Sequence, residues 1–116
     1  LAVSDLEKSV DFYQDLLGFK LKKLWTSGAY FDVHGLWFCL SPDVATRTEP
    51  HPDYTHFAFT VSEADFEAWV HKLETAGVQC WKNDKSEGLS FYFLDPDGHK
   101  LELHVGDLTS RLAAMG

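Results

Sequence analysis

Hydrophobic and polar residues alternate through Tyr54–Val61, which reads Y-T-H-F-A-F-T-V. A period of two is typical of a β-strand with one face in the core. Phe57 and Phe59 fall on the apolar side of this predicted strand, and Tyr54 and His56 fall on the other side. The polar side suits the wall of a pocket. From this strand alone, His56 is either a ligand or a structural histidine bonded to a neighbouring carbonyl.

Two segments have the three- and four-residue apolar spacing of amphipathic helices. The first spans Ser4–Leu17 and the second spans Ser62–Ala76. The predicted N-cap is Ser4 or Asp5 in the first helix and Ser62 in the second, and Ser4-x-x-Glu7 also has the form of a capping box. Gly18 and Gly77 follow directly and are the natural stops. The sequence therefore predicts one helix in each half of the chain.

The remaining chain divides into short strands, a turn, a linker and a tail. Asp95–Gly98, with the sequence D-P-D-G, predicts a tight turn. Residues 42–53 contain three prolines and no periodicity, which indicates a linker. Residues 106–116 predict a short helix with its leucines and methionine on one side. The further predicted strands are Phe19–Trp25, Ala29–Val33, Leu36–Leu40, Val78–Lys82, Leu89–Leu94 and His99–Val105.

The two halves repeat one plan of strand, helix and three strands. Gly18 of the first half matches Gly77 of the second, and Trp37 is expected to occupy, in the last strand of the first module, the position that Glu102 holds in the second. The counterpart of His56 then falls before Leu1, so we expect the native chain to extend further at the N-terminus. The sequence predicts an α+β fold of paired βαβββ modules that form curved mixed sheets, with most of the first strand missing. We expect a single domain over 1–116, with module one at 1–41, the linker at 42–53, module two at 54–105 and the tail at 106–116.

Composition narrows the classes of function. A formal net charge of −8 argues against a nucleic-acid-binding protein. No apolar run approaches the ~20 residues of a membrane span. Cys39 and Cys80 lie in apolar strand-like runs, which favours buried thiols and a cytoplasmic location over a disulfide framework. In so acidic a chain, a local group of cations such as Lys82, Lys85 and Arg111 indicates a site for an anion.

The last predicted strand supplies a second candidate for chemistry. Glu102 lies between two leucines, on the face of the strand that also carries Lys100 and His104. An imidazole from His56 and a carboxylate from Glu102 would suit Mn²⁺, Fe²⁺, Ni²⁺ or Zn²⁺. The alternative is an ion pair between Glu102 and Lys100 or a neighbouring strand.

Taken together, the paired modules, the histidine and the glutamate resemble the vicinal oxygen chelate superfamily, which includes glyoxalases, bleomycin resistance proteins and dioxygenases. At finer grain the chain resembles the fosfomycin-resistance glutathione transferases of that superfamily. The S-E-G loop followed by Y-F-L-D-P-D-G is the most specific element. The matching stretches are 12–19, 28–30, 36–41, 53–59, 81–88, 90–106 and 110–114.

The resemblance implies a reaction and its cofactors. Glutathione, as cosubstrate, adds its thiolate to the epoxide of fosfomycin, assisted by a divalent metal for which Mn²⁺ is the expected ion. His56 and Glu102 are then two of three protein ligands. The third is a histidine of the first-module strand, followed two residues later by a threonine that contacts the substrate. No residue is assigned as an acid, base or nucleophile.

The resemblance also implies a set of binding residues. Lys82 and Arg111 would hold the phosphonate, and Trp25 and Tyr30 would line the thiol entrance. A potassium ion would bind the loop formed by Asp84, Ser86, Gly88 and Ser90. The full set of implied substrate-binding residues is Lys82, Ser86, Ser90, Tyr92, Arg111, Trp37 and Tyr54.

Gly28 helps to separate related activities. Fosfomycin hydrolases of similar fold carry a glutamate base at this position, so glycine favours thiol transfer over hydration. The alternatives are a metal-free protein that sequesters a small anion or antibiotic, and another superfamily enzyme such as an isomerase or dioxygenase. Open sheet edges in each module predict a homodimer.

Overall fold

A computed structural model describes residues 1–83 and 89–116. The chain forms two compact units. Unit 1 comprises Leu1–Pro50 and Asp95–Gly98, and unit 2 comprises His51–Leu94 and His99–Gly116. None of the helices in the described ranges has the length and apolar character needed to cross a bilayer.

Unit 1 is a four-stranded sheet with one helical segment. The sheet order is β1-β4-β3-β2, with β1 parallel to β4 and the other pairs antiparallel. Its elements are β1 (Ala2–Val3), α1 (Leu6–Asp11), a π-helical segment (Phe12–Leu16), β2 (Lys20–Trp25), β3 (Gly28–Val33) and β4 (Leu36–Pro42).

The first helix begins at one of its two predicted N-caps and differs from its prediction in its last turns. The N-cap is Asp5, whose carboxylate accepts a hydrogen bond from the Lys8 amide, rather than Ser4. Ser4 instead donates through its hydroxyl and its amide to the Asp97 carboxylate. After Asp11 the helix continues in π-helical form and ends before Gly18, which has a φ of 67°.

An aromatic cluster forms the core of unit 1. Tyr13 is fully buried and packs against Phe19, Phe31 and Phe38. Its hydroxyl donates to the Asp95 carboxylate at 2.7 Å, which fastens the D-P-D-G turn to this core. Burial, followed by the charge of Asp95, raises the pKa of Tyr13 well above its ordinary value.

Unit 2 has the same order of elements. Its sheet order is β5-β8-β7-β6, with β5 parallel to β8 and the other pairs antiparallel. The N-cap of its long helix is Ser62, as predicted, and the glycine after the helix, Gly77, has a φ of 80°. The elements are β5 (Phe57–Val61), α2 (Glu63–Thr75), β6 (Cys80–Lys82), β7 (Ser90–Leu94), β8 (Lys100–Val105) and α3 (Leu108–Met115).

The strand predicted from Tyr54 begins three residues later, at Phe57. Local bonds occupy the preceding backbone: Asp53 accepts from the Thr55 amide, and the His56 ring bonds to the Tyr54 carbonyl. Such side-chain bonds compete with the strand ladder. The expectation of a core Phe57 is wrong, because this residue at the strand end is 44% exposed.

The repeat extends to an irregularity in the sheets. In unit 2, β6 has one extra residue, Trp81, before Lys82 pairs with Tyr92 of β7. In unit 1, β2 has one extra residue, Lys22, at the matching step. Each is a β-bulge, in which two residues stand against one on the partner strand. The repeat is therefore visible in the hydrogen-bond register as well as in the order of the elements.

The pairing register corrects one predicted correspondence. Tyr30 pairs with Cys39 in unit 1, at the step where Tyr92 pairs with Glu102 in unit 2. Cys39, rather than Trp37, therefore occupies the place of Glu102. The expected counterpart, Trp37, lies two residues away on the same face of β4.

Candidate metal and substrate site

His56 lies just before β5, and its ring is fixed on both sides. Nδ1 is 2.9 Å from the Tyr54 carbonyl, which can only accept a hydrogen bond, so Nδ1 carries a proton. Nε2 faces Glu102 Oε1 at 3.0 Å. A backbone carbonyl that holds Nδ1–H in this way leaves Nε2 as the atom available to a ligand.

Glu102 presents a buried carboxylate in the middle of β8. Its side chain is 7% exposed, and its two oxygens face two imidazoles. Oε1 faces His56, and Oε2 is 3.5 Å from His104 Nδ1. A buried carboxylate needs a cation or donors to offset its desolvation. This position therefore favours occupation by positive charge.

The His56–Glu102 pair fits a divalent metal. In neutral His56 the Nε2 lone pair would face a carboxylate oxygen, so a proton or a cation must lie between them. Two ligands that are each about 2.1 Å from an ion, at right angles, stand about 3.0 Å apart. Among the described residues, no group of three or more carboxylate, thiol or imidazole side chains gathers for a metal. The described chain therefore offers a two-residue donor set here.

His104 is oriented by a second chain of hydrogen bonds. The Thr60 hydroxyl donates to the Gly106 carbonyl at 3.1 Å and lies 3.1 Å from His104 Nε2. Because that hydroxyl has a single proton, Nε2–H of His104 donates to it. Nδ1 of His104 is thereby directed at Glu102.

Lys82 lies at the end of β6 among aromatic rings. Its ammonium donates to the Tyr54 hydroxyl and lies 4.7 Å from the ring centres of both Tyr54 and Tyr92. The hydrogen bond to Tyr54 is the main cause that raises the pKa of Lys82, and Glu102 contributes. Lys82 is thus a fixed cation on the side of the site where His56 and Glu102 are the candidate metal-binding residues.

Two further predicted residues share the Glu102 face of the sheet. Tyr92 pairs directly with Glu102, and Ser90 pairs with His104. Residues opposite each other in an antiparallel pair point to the same face. Both side chains are buried, at 3% and 6% exposed. The register thus brings Ser90, Tyr92 and Lys82 to the face on which the carboxylate lies.

Trp81 is a site neighbour that strand alternation missed. Its ring centre is 5.2 Å from His56, 5.6 Å from Tyr54 and 5.3 Å from Tyr92. Simple alternation would place Trp81 and Lys82 on opposite faces. The bulge in β6 puts both side chains on one face. The local sequence has no pattern that predicts this bulge.

Arg111 lies in α3. It lines a cavity of about 560 Å³ and is exposed. The other residues that line this cavity are Thr60, His104, Val105, Gly106, Asp107, Leu108, Ser110 and Ala114. His104, whose Nδ1 faces Glu102 Oε2, therefore forms part of the cavity wall.

The predicted thiol-entrance residues lie together in unit 1. Trp25 and Tyr30 meet edge to face at 4.8 Å, and Tyr30 and Trp37 do so at 5.1 Å. Trp37 is 68% exposed. These aromatic rings form one ladder across β2, β3 and β4, with Trp25 and Tyr30 half-buried and Trp37 exposed. The predicted potassium-loop residues Asp84, Ser86 and Gly88 lie outside the described residues.

Comparison with known proteins places the chain in a family. The Glyoxalase/Bleomycin resistance protein/Dioxygenase superfamily matches residues 1–103, and the chain belongs to it. This confirms the expected superfamily and α+β fold.

Particular relatives narrow the match. The chain is 61% identical over 116 residues to "Glutathione transferase FosA" of Serratia marcescens, covering 98% of this chain and 82% of that protein. It is 44% identical over 115 residues to "Metallothiol transferase FosB" of Lysinibacillus sphaericus, covering 96% and 82%. A crystal structure of a mutant fosfomycin resistance protein FosX from Listeria monocytogenes, complexed with Mn(II) and 1S,2S-dihydroxypropylphosphonic acid, has a TM-score of 0.85. It is 28% identical and covers 100% of this chain and 93% of that chain.

Proposed function

We propose that this protein is a metal-dependent glutathione transferase that adds the thiol of glutathione to the epoxide of fosfomycin and so confers resistance. The observation that carries the proposal is the His56–Glu102 pair beside the fixed cation Lys82, in a chain 61% identical to a glutathione transferase. Similarity to fosfomycin resistance structures supports the substrate.

The reaction is an addition. The thiolate sulfur forms a bond to an epoxide carbon, that carbon's bond to the ring oxygen breaks, and the resulting alkoxide takes up a proton. The product contains every atom of both reactants. His56 Nε2 and Glu102 Oε1 are the proposed metal-binding atoms, and Mn²⁺ is the expected ion. When bound, a divalent ion stabilises negative charge that develops on the epoxide oxygen.

The chain's own side chains hold the substrate anion. Lys82 supplies a positive charge whose position is fixed by Tyr54 and Tyr92. The Tyr92 hydroxyl and Ser90 lie on the same face and offer neutral donors. Arg111, in the cavity beside His104, is the second proposed cation and can bind a phosphonate through two nitrogens.

Gly28 supports thiol transfer over hydration. A Cβ atom at this position would lie 2.9 Å from the Trp25 ring and 3.1 Å from the Leu40 carbonyl. A carboxylate side chain at this position would have to displace the Trp25 ring and press on the Leu40 carbonyl. We propose that Trp25 and Tyr30 border the thiol entrance and that Trp37 contacts substrate. A potassium ion at residues 84–90 is part of the same proposal.

A homodimer is the proposed assembly. The two sheets keep open edges, and the exposed side of α3 is apolar, with Leu108, Leu112 and Met115 at 73%, 56% and 72% exposed. A second copy would cover such surfaces. The two free cysteines favour a reducing compartment, so we propose a cytoplasmic location.

Mass spectrometry of the reaction mixture tests the proposed activity. Full-length protein with Mn²⁺, fosfomycin and glutathione should yield an adduct whose mass is the sum of the two reactants. A product with the mass of fosfomycin plus one water molecule, in place of the adduct, would indicate a hydrolase and contradict the proposal. Omission of glutathione and addition of a metal chelator are the matched controls, and each should abolish the product.

A metal-free binding protein is the second candidate, because the described residues offer only a two-residue donor set. Calorimetry with fosfomycin in the presence of a chelator separates the two functions. Undiminished binding without turnover would favour sequestration of the antibiotic.

A further inference from the structure

We propose that Trp81 is a positioning residue that holds the His56 imidazole against Glu102. This inference rests on the proposed metal-binding role of His56 and Glu102. Trp81 was not among the predicted site residues, and its role follows from the bulge in β6 and from its contacts.

The bulge turns the indole into the site. β6 advances two residues, from Cys80 to Lys82, while β7 advances one. Bulges bend a strand and re-aim a side chain, and they are common next to active sites. Here Trp81 lies on the same face as Lys82, because both contact Tyr54 and Tyr92.

The indole is anchored to the strand that carries the other ligand. Its Nε1–H donates to the Leu101 carbonyl at 3.0 Å, and Leu101 directly precedes Glu102 in β8. The Lys100 ammonium lies 5.1 Å from the indole centre and donates to the Asp53 carbonyl at 2.6 Å. Trp81 is therefore tied to β8 on one side and to the segment before His56 on the other.

The indole also packs against the imidazole of His56. Trp81 and His56 have their ring centres 5.2 Å apart at an interplanar angle of 59°. His56 precedes β5 and lacks a strand ladder to hold it, so ring packing restricts the swing of its side chain. One hydrogen bond from Nδ1 fixes the tautomer, and the indole, together with the Tyr54 ring 4.8 Å away, limits the directions in which Nε2 can point. Groups that orient a metal-binding histidine typically alter metal affinity by tenfold or more when removed.

The test compares Trp81→Leu and Trp81→Phe with a matched change, Trp69→Phe. Trp69 is a half-buried tryptophan of α2 whose ring contacts Lys72. Calorimetry with Mn²⁺ alone should show affinity lowered about tenfold in Trp81→Leu. The loss should be smaller, about threefold, in Trp81→Phe, which keeps a ring and loses the N–H anchor. Trp69→Phe should bind as the unaltered protein does.

Affinities within twofold of the unaltered protein in both Trp81 variants would overturn the proposal. If Trp81→Leu fails to fold by circular dichroism, the comparison of Trp81→Phe with Trp69→Phe decides it in the same way. Where Mn²⁺ affinity does fall, kcat for glutathione addition at saturating Mn²⁺ should return towards the unaltered value, because the defect lies in holding the ligand.

Crystal structures of the metal-free variants give a readout that does not depend on the proposed function. The His56 Nε2–Glu102 Oε1 distance is 3.0 Å here. It should exceed the hydrogen-bond limit of about 3.5 Å in a Trp81 variant and stay unchanged in Trp69→Phe. An unmoved imidazole in the Trp81 variants would overturn the positioning role. Failure of the unaltered protein to bind Mn²⁺ would instead contradict the proposed function.

Discussion

At the residue scale, Glu102 has the environment of a group that binds positive charge. Its carboxylate is buried in mid-strand between two imidazoles, and the cation Lys82 lies on the same face. This environment supports the proposed role of His56 and Glu102 as the two metal-binding residues of the described chain.

Lys82 should act on substrate binding more than on the chemical step. Replacement by methionine removes the charge, and hydrogen bonds to charged groups contribute about 1.5–3 kcal/mol. We therefore expect KM for fosfomycin to rise about tenfold or more in Lys82→Met, with a smaller change in kcat. Steady-state kinetics check this, with Lys20→Met on the exposed part of β2 as the control. An unchanged KM would remove Lys82 from the substrate site.

Tyr13 should make the folded protein less stable as the pH rises into the alkaline range. Its pKa is raised by burial in the folded state, so the unfolded chain loses the proton first as pH rises. The contribution of protonated Tyr13 to the free energy of unfolding is complete below the ordinary tyrosine pKa of 10.0 and is lost progressively as the pH rises above it. Urea unfolding from pH 8 to about 11 should show a steeper fall in unfolding free energy for the unaltered protein than for Tyr13→Phe. Parallel curves for the two proteins would contradict this.

At the element scale, the sequence predicts most of the architecture. The helix of unit 2, the D-P-D-G turn and every strand are present, since apolar periodicity and glycine stops are strong local signals. The start of β5 was missed because side-chain bonds at Asp53 and His56 replace ladder bonds. The π-helical turn after Asp11 likewise has no local signature.

Part of the candidate site was predictable from the sequence. His56, Glu102, Lys82, Ser90 and Tyr92 follow from strand parity and family resemblance, and the described structure brings them to one face. Trp81 does not follow, because a bulge shifts parity by one residue and depends on pairing between distant strands. The correspondence of Cys39 with Glu102 needed the pairing register as well.

At the scale of the whole molecule, the exposed apolar side chains of α3 and the aromatic ladder of unit 1 predict self-association. Three of the eight α3 residues are large, apolar and more than half exposed. We expect light scattering to give twice the mass of the chain, and Leu112→Glu to shift the protein towards the monomer. A monomer at micromolar concentration for the unaltered protein would contradict the proposed dimer.

The most direct test of the account is the rate of glutathione-dependent fosfomycin loss with Mn²⁺ in full-length protein and in Glu102→Gln. Glutamine keeps the size of the side chain and removes its charge, so the fold should persist while metal binding weakens. The account predicts measurable loss of fosfomycin by the unaltered protein and a fall of about a hundredfold or more at limiting Mn²⁺ in the variant. Equal rates for the two proteins, or no glutathione-dependent loss by the unaltered one, would contradict it.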